Sequence, residues 1–307
     1  DSIYMTAVQI LTRSGGWPMS TWLTPDRMPF MAGTYFPPRD GARGTRRGFL
    51  TLLKELKEQY ATDPAIASKA QELTQRVIQS MRPRPADSGL PGAKILDRAV
   101  DRYWQRFDQT NGGMRSGRKF PSSLPIRFLL RYARRSNDPR ALTMANKTLK
   151  AMYRGGLYDH VGGGFHRYTV DPRWDIPHFE KMLYDNALLA VAYTEAWQLT
   201  NDPEYRQVTV EVLDYVAREM TNAQGACYSA TDADSEGHEG KFFVWDVPEI
   251  QKLLQPDDAR LLIRHYGASP RGNFEGRNHL QIEVELATAA REMGWTLAQA
   301  KARLEVA

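Results

Sequence analysis

The tripeptide Asn137-Asp138-Pro139 returns as Asn201-Asp202-Pro203, and this repeat restricts the fold more than any other feature of the chain. Aspartate at a helix N-cap with proline at the first helical position gives a sharp stop and start between two helices. The carboxylate accepts from a free N–H, and the proline has no N–H to leave unpaired. The pattern predicts a helix before each copy, at about Ser123–Ser136 and Pro177–Thr200. A helical stripe follows each copy: Leu142, Ala145, Leu149 and Met152, then Val208, Val212, Tyr215, Val216 and Met220. The other connections, Asp108–Ser122, Gly155–Ile176 and Asn222–Val247, are long and glycine-bearing. Short turns at one end and long loops at the other are the layout of stacked αα-hairpins. Loops of this length in a compact domain are usually functional or disordered; these three are rich in aromatics, glycine and charge, which favours function, and they are expected to gather at one end of the array.

The first 82 residues follow another pattern. A helical stretch over residues 3–11 is broken by Ser14-Gly15-Gly16, and Pro18 then opens strand-like residues Met19–Leu23. Thr24-Pro25-Asp26-Arg27 reads as a tight turn. Pro29–Gly33 returns as a strand, and helices are expected at Phe49–Tyr60 and Pro64–Met81. Helix, glycine turn, proline-opened strand, turn, strand and helix form the back half of a thioredoxin-like domain, in which the proline bond, here Trp17–Pro18, is cis. The segment 83–92, rich in proline and glycine, reads as a linker. The expected organisation is a partial thioredoxin-like segment at 1–82, the linker, and a helical-hairpin domain at 93–307.

Bulk properties narrow the function classes. A hydrophobic content of 42% with 25% charged residues is that of a globular protein. No apolar run approaches the roughly 18–20 residues that span a bilayer. The net charge is only +5 and the arginines are scattered, so neither nucleic acid nor membrane is expected as a partner. The lone Cys227 rules out an internal disulfide within this stretch and a cysteine-built zinc site. A cytoplasmic location is expected. The chain opens at Asp1 within one amphipathic pattern and stops within another, so a longer parent protein is expected; the missing front half of the thioredoxin-like fold is expected to carry a Cys-x-x-Cys-like pair upstream.

The candidate site lies in Gly162–Asn186, where a glycine turn feeds a loop and the loop feeds a helix with Pro177 in its first turn. His178, Lys181 and Asp185 stand at i, i+3 and i+7, one face of that helix. From Ala187 to Tyr193 nearly every residue is apolar, as in a helix buried on all sides. Acid–base chemistry is assigned to His178, Glu180 and Asp185, with His166 and Arg167 from the preceding loop. Tyr168 and Trp174 offer flat stacking surfaces, and Lys181, Tyr184 and Asn186 offer polar contacts. In the third loop Asp232, Asp234 and Glu236 offer carboxylates and are expected near His178. Asp232–Gly237 opens like a calcium loop, but Phe243 stands where a bidentate glutamate is required. His160, His166 and His178 match no metal spacing. No metal and no cofactor are therefore expected. The bland reading of the stretch is a helix cap with a Lys181–Asp185 surface pair, and of the acidic hexapeptide a solvated turn.

These residues carry a resemblance. Ser14–Asp26, Gly33–Pro38, Lys119-Phe120-Pro121, Gly162–Tyr168, Pro177–Asn186, Ala230–Gly237 and Gly240–Trp245 resemble the spermatogenesis-associated protein 20 / YyaL family. The resemblance implies a mainly α fold: a partial thioredoxin-like α/β segment followed by an incomplete (α/α)6 toroid of helical hairpins. The helical half is similar to sugar epimerases of the N-acylglucosamine 2-epimerase type, which implies a carbohydrate ligand and epimerase-, isomerase- or glycosidase-like chemistry. The rival expectation is a redox or chaperone-like factor that meets a protein partner through its thioredoxin-like part, with the toroid as scaffold. A silent adaptor is a third.

Overall fold

The computed structural model describes residues 1–83 and 92–306. It divides into two compact units, Asp1–Leu90 and Pro91–Ala307. Most of the expected linker, residues 84–91, lies outside the described residues.

In the first unit α1 (Ser2–Thr12) ends on Arg13 in a left-handed conformation. The Trp17–Pro18 bond is cis, as expected. Strands β1 (Ser20–Leu23) and β2 (Pro29–Gly33) form an antiparallel hairpin with Ser20 opposite Gly33 and Trp22 opposite Met31. Helices α2 (Phe49–Thr62) and α3 (Ile66–Met81) follow. Ala7 of α1 packs with Leu73 and Val77 of α3 in a small core beside the hairpin.

The second unit begins with α4 (Lys94–Arg106), then α5 (Ile126–Arg135) and α6 (Pro139–Arg154). Short strands β3 (Tyr168–Thr169), β4 (Pro177–His178) and β5 (Lys181–Met182) lead into α7 (Leu183–Thr200) and α8 (Pro203–Glu219). Strands β6 (Ala230–Thr231), β7 (Asp234–Ser235), β8 (His238–Glu239) and β9 (Val244–Trp245) precede α9 (Val247–Leu253) and α10 (Pro256–Tyr266). Strand β10 (Asn278–His279), α11 (Leu286–Glu292) and α12 (Leu297–Val306) complete it. The protein is thus mainly α, with twelve α-helices among the described residues and only two-stranded sheets.

Both Asn-Asp-Pro turns act as their chemistry dictates. The Asp138 side chain accepts from the Arg140 N–H at 2.9 Å, and Asp202 accepts from Glu204 at 3.1 Å, each with proline in the first helical turn. The caps fold α5 against α6 and α7 against α8 as hairpins, with α5 beside α7 and α4 beside α6. One apolar core runs through them, centred on Leu129, Met144, Leu149, Tyr193, Val208 and Val212.

Two expectations about α7 need correction. It starts at Leu183 rather than Pro177, because residues 177–182 lie extended between neighbours: β4 pairs with β3, and β5 with β6. Backbone groups bonded across strands cannot also close helical turns. His178 and Lys181 therefore precede the helix, share no helix face with Asp185, and form no Lys181–Asp185 pair. Nor is α7 buried on all sides, since Leu188 is 54% and Val191 40% exposed.

Candidate functional site

The three long loops meet through backbone bonds. Lys119 and Thr169 exchange N–H···O bonds at 3.1 and 2.9 Å, joining the first loop to the second. The β5–β6 pairing, extended by Leu183 N–H to the Ser229 carbonyl at 2.9 Å, joins the third.

Two of the loops are built alike. Asp108 N–H reaches the Gly113 carbonyl and Gly112 N–H the Asp108 carbonyl; Asp159 with Gly164, and Gly163 with Asp159, repeat the arrangement. Both glycine pairs have φ between 69° and 77°, a region that costs other residues about 1–3 kcal/mol. A buried lysine ties each turn. Lys119 Nζ donates to Asp108 (2.8 Å) and the Gly112 carbonyl (2.7 Å), and Lys181 Nζ to Asp159 (2.7 Å) and the Gly163 carbonyl (2.7 Å). Burial alone would raise the Asp159 pKa, but the Lys181 ammonium outweighs it and holds the carboxylate well below its ordinary range. Lys181, expected to touch substrate at the mouth, is instead an interior tether.

Other residues expected at the mouth are also inside. His166 is fully buried: its Nδ1–H donates to the Phe179 carbonyl at 2.9 Å, and its ring packs edge-on against Phe179 and Phe243. Burial, with Lys181 nearby, pushes its pKa well down, so the imidazole is neutral. Trp174 is fully buried, and its indole N–H donates to the Asn111 carbonyl at 3.0 Å. Asn186 is buried with its side chain bonded to Phe165 N–H, the Phe165 carbonyl and the Met182 carbonyl. Apart from His166 Nε2, which is buried without a partner, their polar side-chain atoms bond backbone groups of the glycine loop and its neighbours.

What reaches solvent is a smaller set around β4 and the first turn of α7. Arg167 Nη1 lies 2.7 Å from Glu180 Oε2. His178 Nδ1 lies 2.6 Å from Glu239 Oε1, and its Nε2 is 3.9 Å from Glu180 Oε2. Tyr168 stacks on His178 (centroids 5.2 Å apart), and Phe120 stacks on Tyr168 (4.5 Å). Tyr184 is 49% exposed beside Arg167. Behind this set lies Asp185, buried, with Oδ2 unpartnered and closed off from solvent. Burial raises its pKa to about 6; Arg167 opposes the rise and Glu180 adds to it.

The third loop reaches His178 through a residue the sequence pattern did not single out. Asp234 and Glu239 pair across a hairpin whose two turn residues, Glu236 and Gly237, both have positive φ (53° and 79°), the geometry of a type I′ turn. Asp232 accepts from the Asp234 N–H, Asp234 is exposed, and Glu236 pairs with Lys241. The calcium-like hexapeptide is therefore a β-turn. Gly240 lies on the Phe179 ring so closely that a Cβ there would come within 2.4 Å of it. That contact sets the neighbouring Glu239 against His178. Among the described residues no three His, Cys, Asp or Glu side chains gather as metal ligands.

The fold and these loops define the class: a mainly α protein of helical hairpins, with a thioredoxin-like segment at residues 1–81 that matches the model Thioredox_DsbH, described as "Protein of unknown function, DUF255". Spermatogenesis-associated protein 20 of Homo sapiens is 39% identical over 326 residues, 96% of this chain and 41% of its own length. The Mus musculus protein is 38% identical over 99% of this chain and 42% of its own. The chain belongs to the spermatogenesis-associated protein 20 family, and it spans about two fifths of the length of these curated relatives. Among solved structures it is similar to cellobiose 2-epimerase from Spirochaeta thermophila DSM 6192 (18% identity, TM-score 0.39, 46% of this chain and 41% of that one). It is also similar to a family 76 glycoside hydrolase from a bovine Bacteroides thetaiotaomicron strain (13%, TM-score 0.38, 99% and 56%).

Proposed function

We propose that the helical unit binds a carbohydrate or similar polyol at the mouth of α7 and transfers protons to or from it. The observation that carries the reading is Asp185: a carboxyl with a pKa of about 6 and an unpartnered oxygen, beside the Arg167–Glu180 pair. Such a group gains and loses its proton closer to neutrality than an ordinary aspartate does, as acid–base chemistry on a sugar requires. The Phe120–Tyr168–His178 stack supplies flat apolar faces for the C–H side of a sugar ring, and Arg167, Glu180 and Tyr184 supply donors and acceptors for hydroxyls. Positioned acid–base groups typically contribute about 10²–10⁴-fold in rate. The test is a panel of neutral and acidic sugars at millimolar concentration, read by saturation-transfer NMR and thermal shift. A responding sugar should lose its response in Asp185→Asn and His178→Ala while the helical circular dichroism persists. No response from any sugar, or an unchanged response in both variants, would sink the reading.

A second reading concerns the first unit. Trp17 is 72% exposed, and a large aromatic in that position favours a protein partner for the thioredoxin-like segment. Trp17→Ala should then abolish capture of that partner while leaving the sugar response untouched.

A further inference from the structure

We infer that Glu239 is a positioning residue for His178: it holds the imidazole proton on Nδ1 and leaves Nε2 as the nitrogen at which a proton enters or leaves the site. The inference rests on the acid–base reading of the α7 mouth and adds to it a residue from the third loop. One distance and two rules of hydrogen-bond chemistry support it. The Glu239 Oε1 to His178 Nδ1 distance of 2.6 Å is that of a charge-assisted hydrogen bond. A carboxylate only accepts, so the Nδ1 atom must donate. The bond one ring nitrogen makes decides which tautomer the other presents. Nε2 then looks toward the Arg167–Glu180 pair, with Glu180 Oε2 3.9 Å away.

The surrounding fold is arranged to keep this contact. His178 is fixed from below by β3–β4 pairing, which sets it opposite Tyr168, and on its face by the Tyr168 ring. Glu239 is fixed by its pairing with Asp234 and by Gly240, whose missing side chain lets the hairpin lie on Phe179. Two loops far apart in sequence thus contribute one side chain each to a dyad. Glu239 touches no reacting atom in this arrangement. It acts through the ring it orients.

The test uses the full chain labelled with 15N-histidine and needs no sugar, so it separates this inference from the functional reading. Long-range 1H–15N correlation spectra at alkaline pH report which ring nitrogen of neutral His178 is protonated, with its signals assigned by their loss in His178→Gln. The wild-type chain should show the Nδ1–H tautomer. Glu239→Gln should retain it, because the amide oxygen still accepts. Glu239→Ala should return the ring to the Nε2–H form that free histidine prefers, while the signals of buried His166 and His279 stay in place. An Nε2–H tautomer in the wild-type chain overturns the inference, and so does an unchanged tautomer in Glu239→Ala.

Discussion

Burial keeps the Asp185 carboxyl protonated to higher pH than an ordinary aspartate, and this has a consequence for stability that is separate from any ligand. Its folded pKa of about 6 lies above the ordinary aspartate value of 3.8, so the folded chain holds the proton more tightly than the unfolded one. Its contribution is therefore most favourable below about pH 4, declines as pH rises toward 6, and is flat above. At 1.36 kcal/mol per pKa unit the loss is at most about 3 kcal/mol. Asp185→Asn should raise urea stability at pH 7.5 by about 1–2 kcal/mol and leave it unchanged near pH 4. A stability gain coupled to a lost sugar response would mark a group retained for chemistry. Lys181 predicts the opposite pattern. Removing it leaves Asp159 charged and buried, which costs about 3–5 kcal/mol. Lys181→Met should thus destabilise at neutral pH, and Asp159→Asn in the same chain should recover part of the loss; a near-neutral Lys181→Met would refute the tether.

The elements show which parts of the fold could be read in the sequence. The Asn-Asp-Pro turns were legible because a cap is a local device: Asp138 bonds a backbone N–H two residues on, and no distant partner is consulted. The β1–β2 hairpin was legible from its proline and turn residues for the same reason. The start of α7 was not, because β4 and β5 are pinned by Tyr168–Thr169 and by Ala230–Thr231, and the latter lies far along the chain. The same long-range pairing hid the inward turn of Lys181 and His166, and placed Glu239 rather than Asp232, Asp234 or Glu236 at His178. One signal was present and unused: an aspartate followed by adjacent glycines occurs at Asp108-…-Gly112-Gly113 and again at Asp159-…-Gly163-Gly164, each with a lysine downstream. The two glycine turns predict an asymmetry between local and built-in features. Gly164 has φ +77°, and an added Cβ would lie 2.4 Å from the Tyr215 ring. Gly164→Ala combines a left-handed backbone penalty with overpacking, about 2–4 kcal/mol together. Asp138→Ala loses one cap, about 1 kcal/mol. Denaturant midpoints for the two variants should fall in that order, and the reverse order would show that the glycine turns are incidental.

Each of the two units has a core of its own, and the cores differ in scale. The first rests on Ala7, Leu73, Val77 and Ile10 against a two-stranded hairpin, and such a hairpin has little stability apart from the helices that cover it. The second buries Phe165, Trp174, Tyr193 and Tyr205 within a core that runs from α4 to α8. Hydrophobic stabilisation follows the apolar area removed from water, at about 25 cal/mol per Å², and the denaturant slope follows the area exposed on unfolding. Hydrogen exchange measured in rising urea should therefore find peptides from 2–33 and 66–81 losing protection before those from 126–219, and with a shallower denaturant dependence. A single coincident transition would show one cooperative body instead. The proposed ligand sharpens the contrast, because every group assigned to the mouth of α7 belongs to the second unit. A sugar at about 100 times its dissociation constant stabilises what it binds by about 2.7 kcal/mol. It should delay exchange in 126–219 by that amount and leave 2–33 where it was. Equal protection of both segments would place the ligand elsewhere than the α7 mouth.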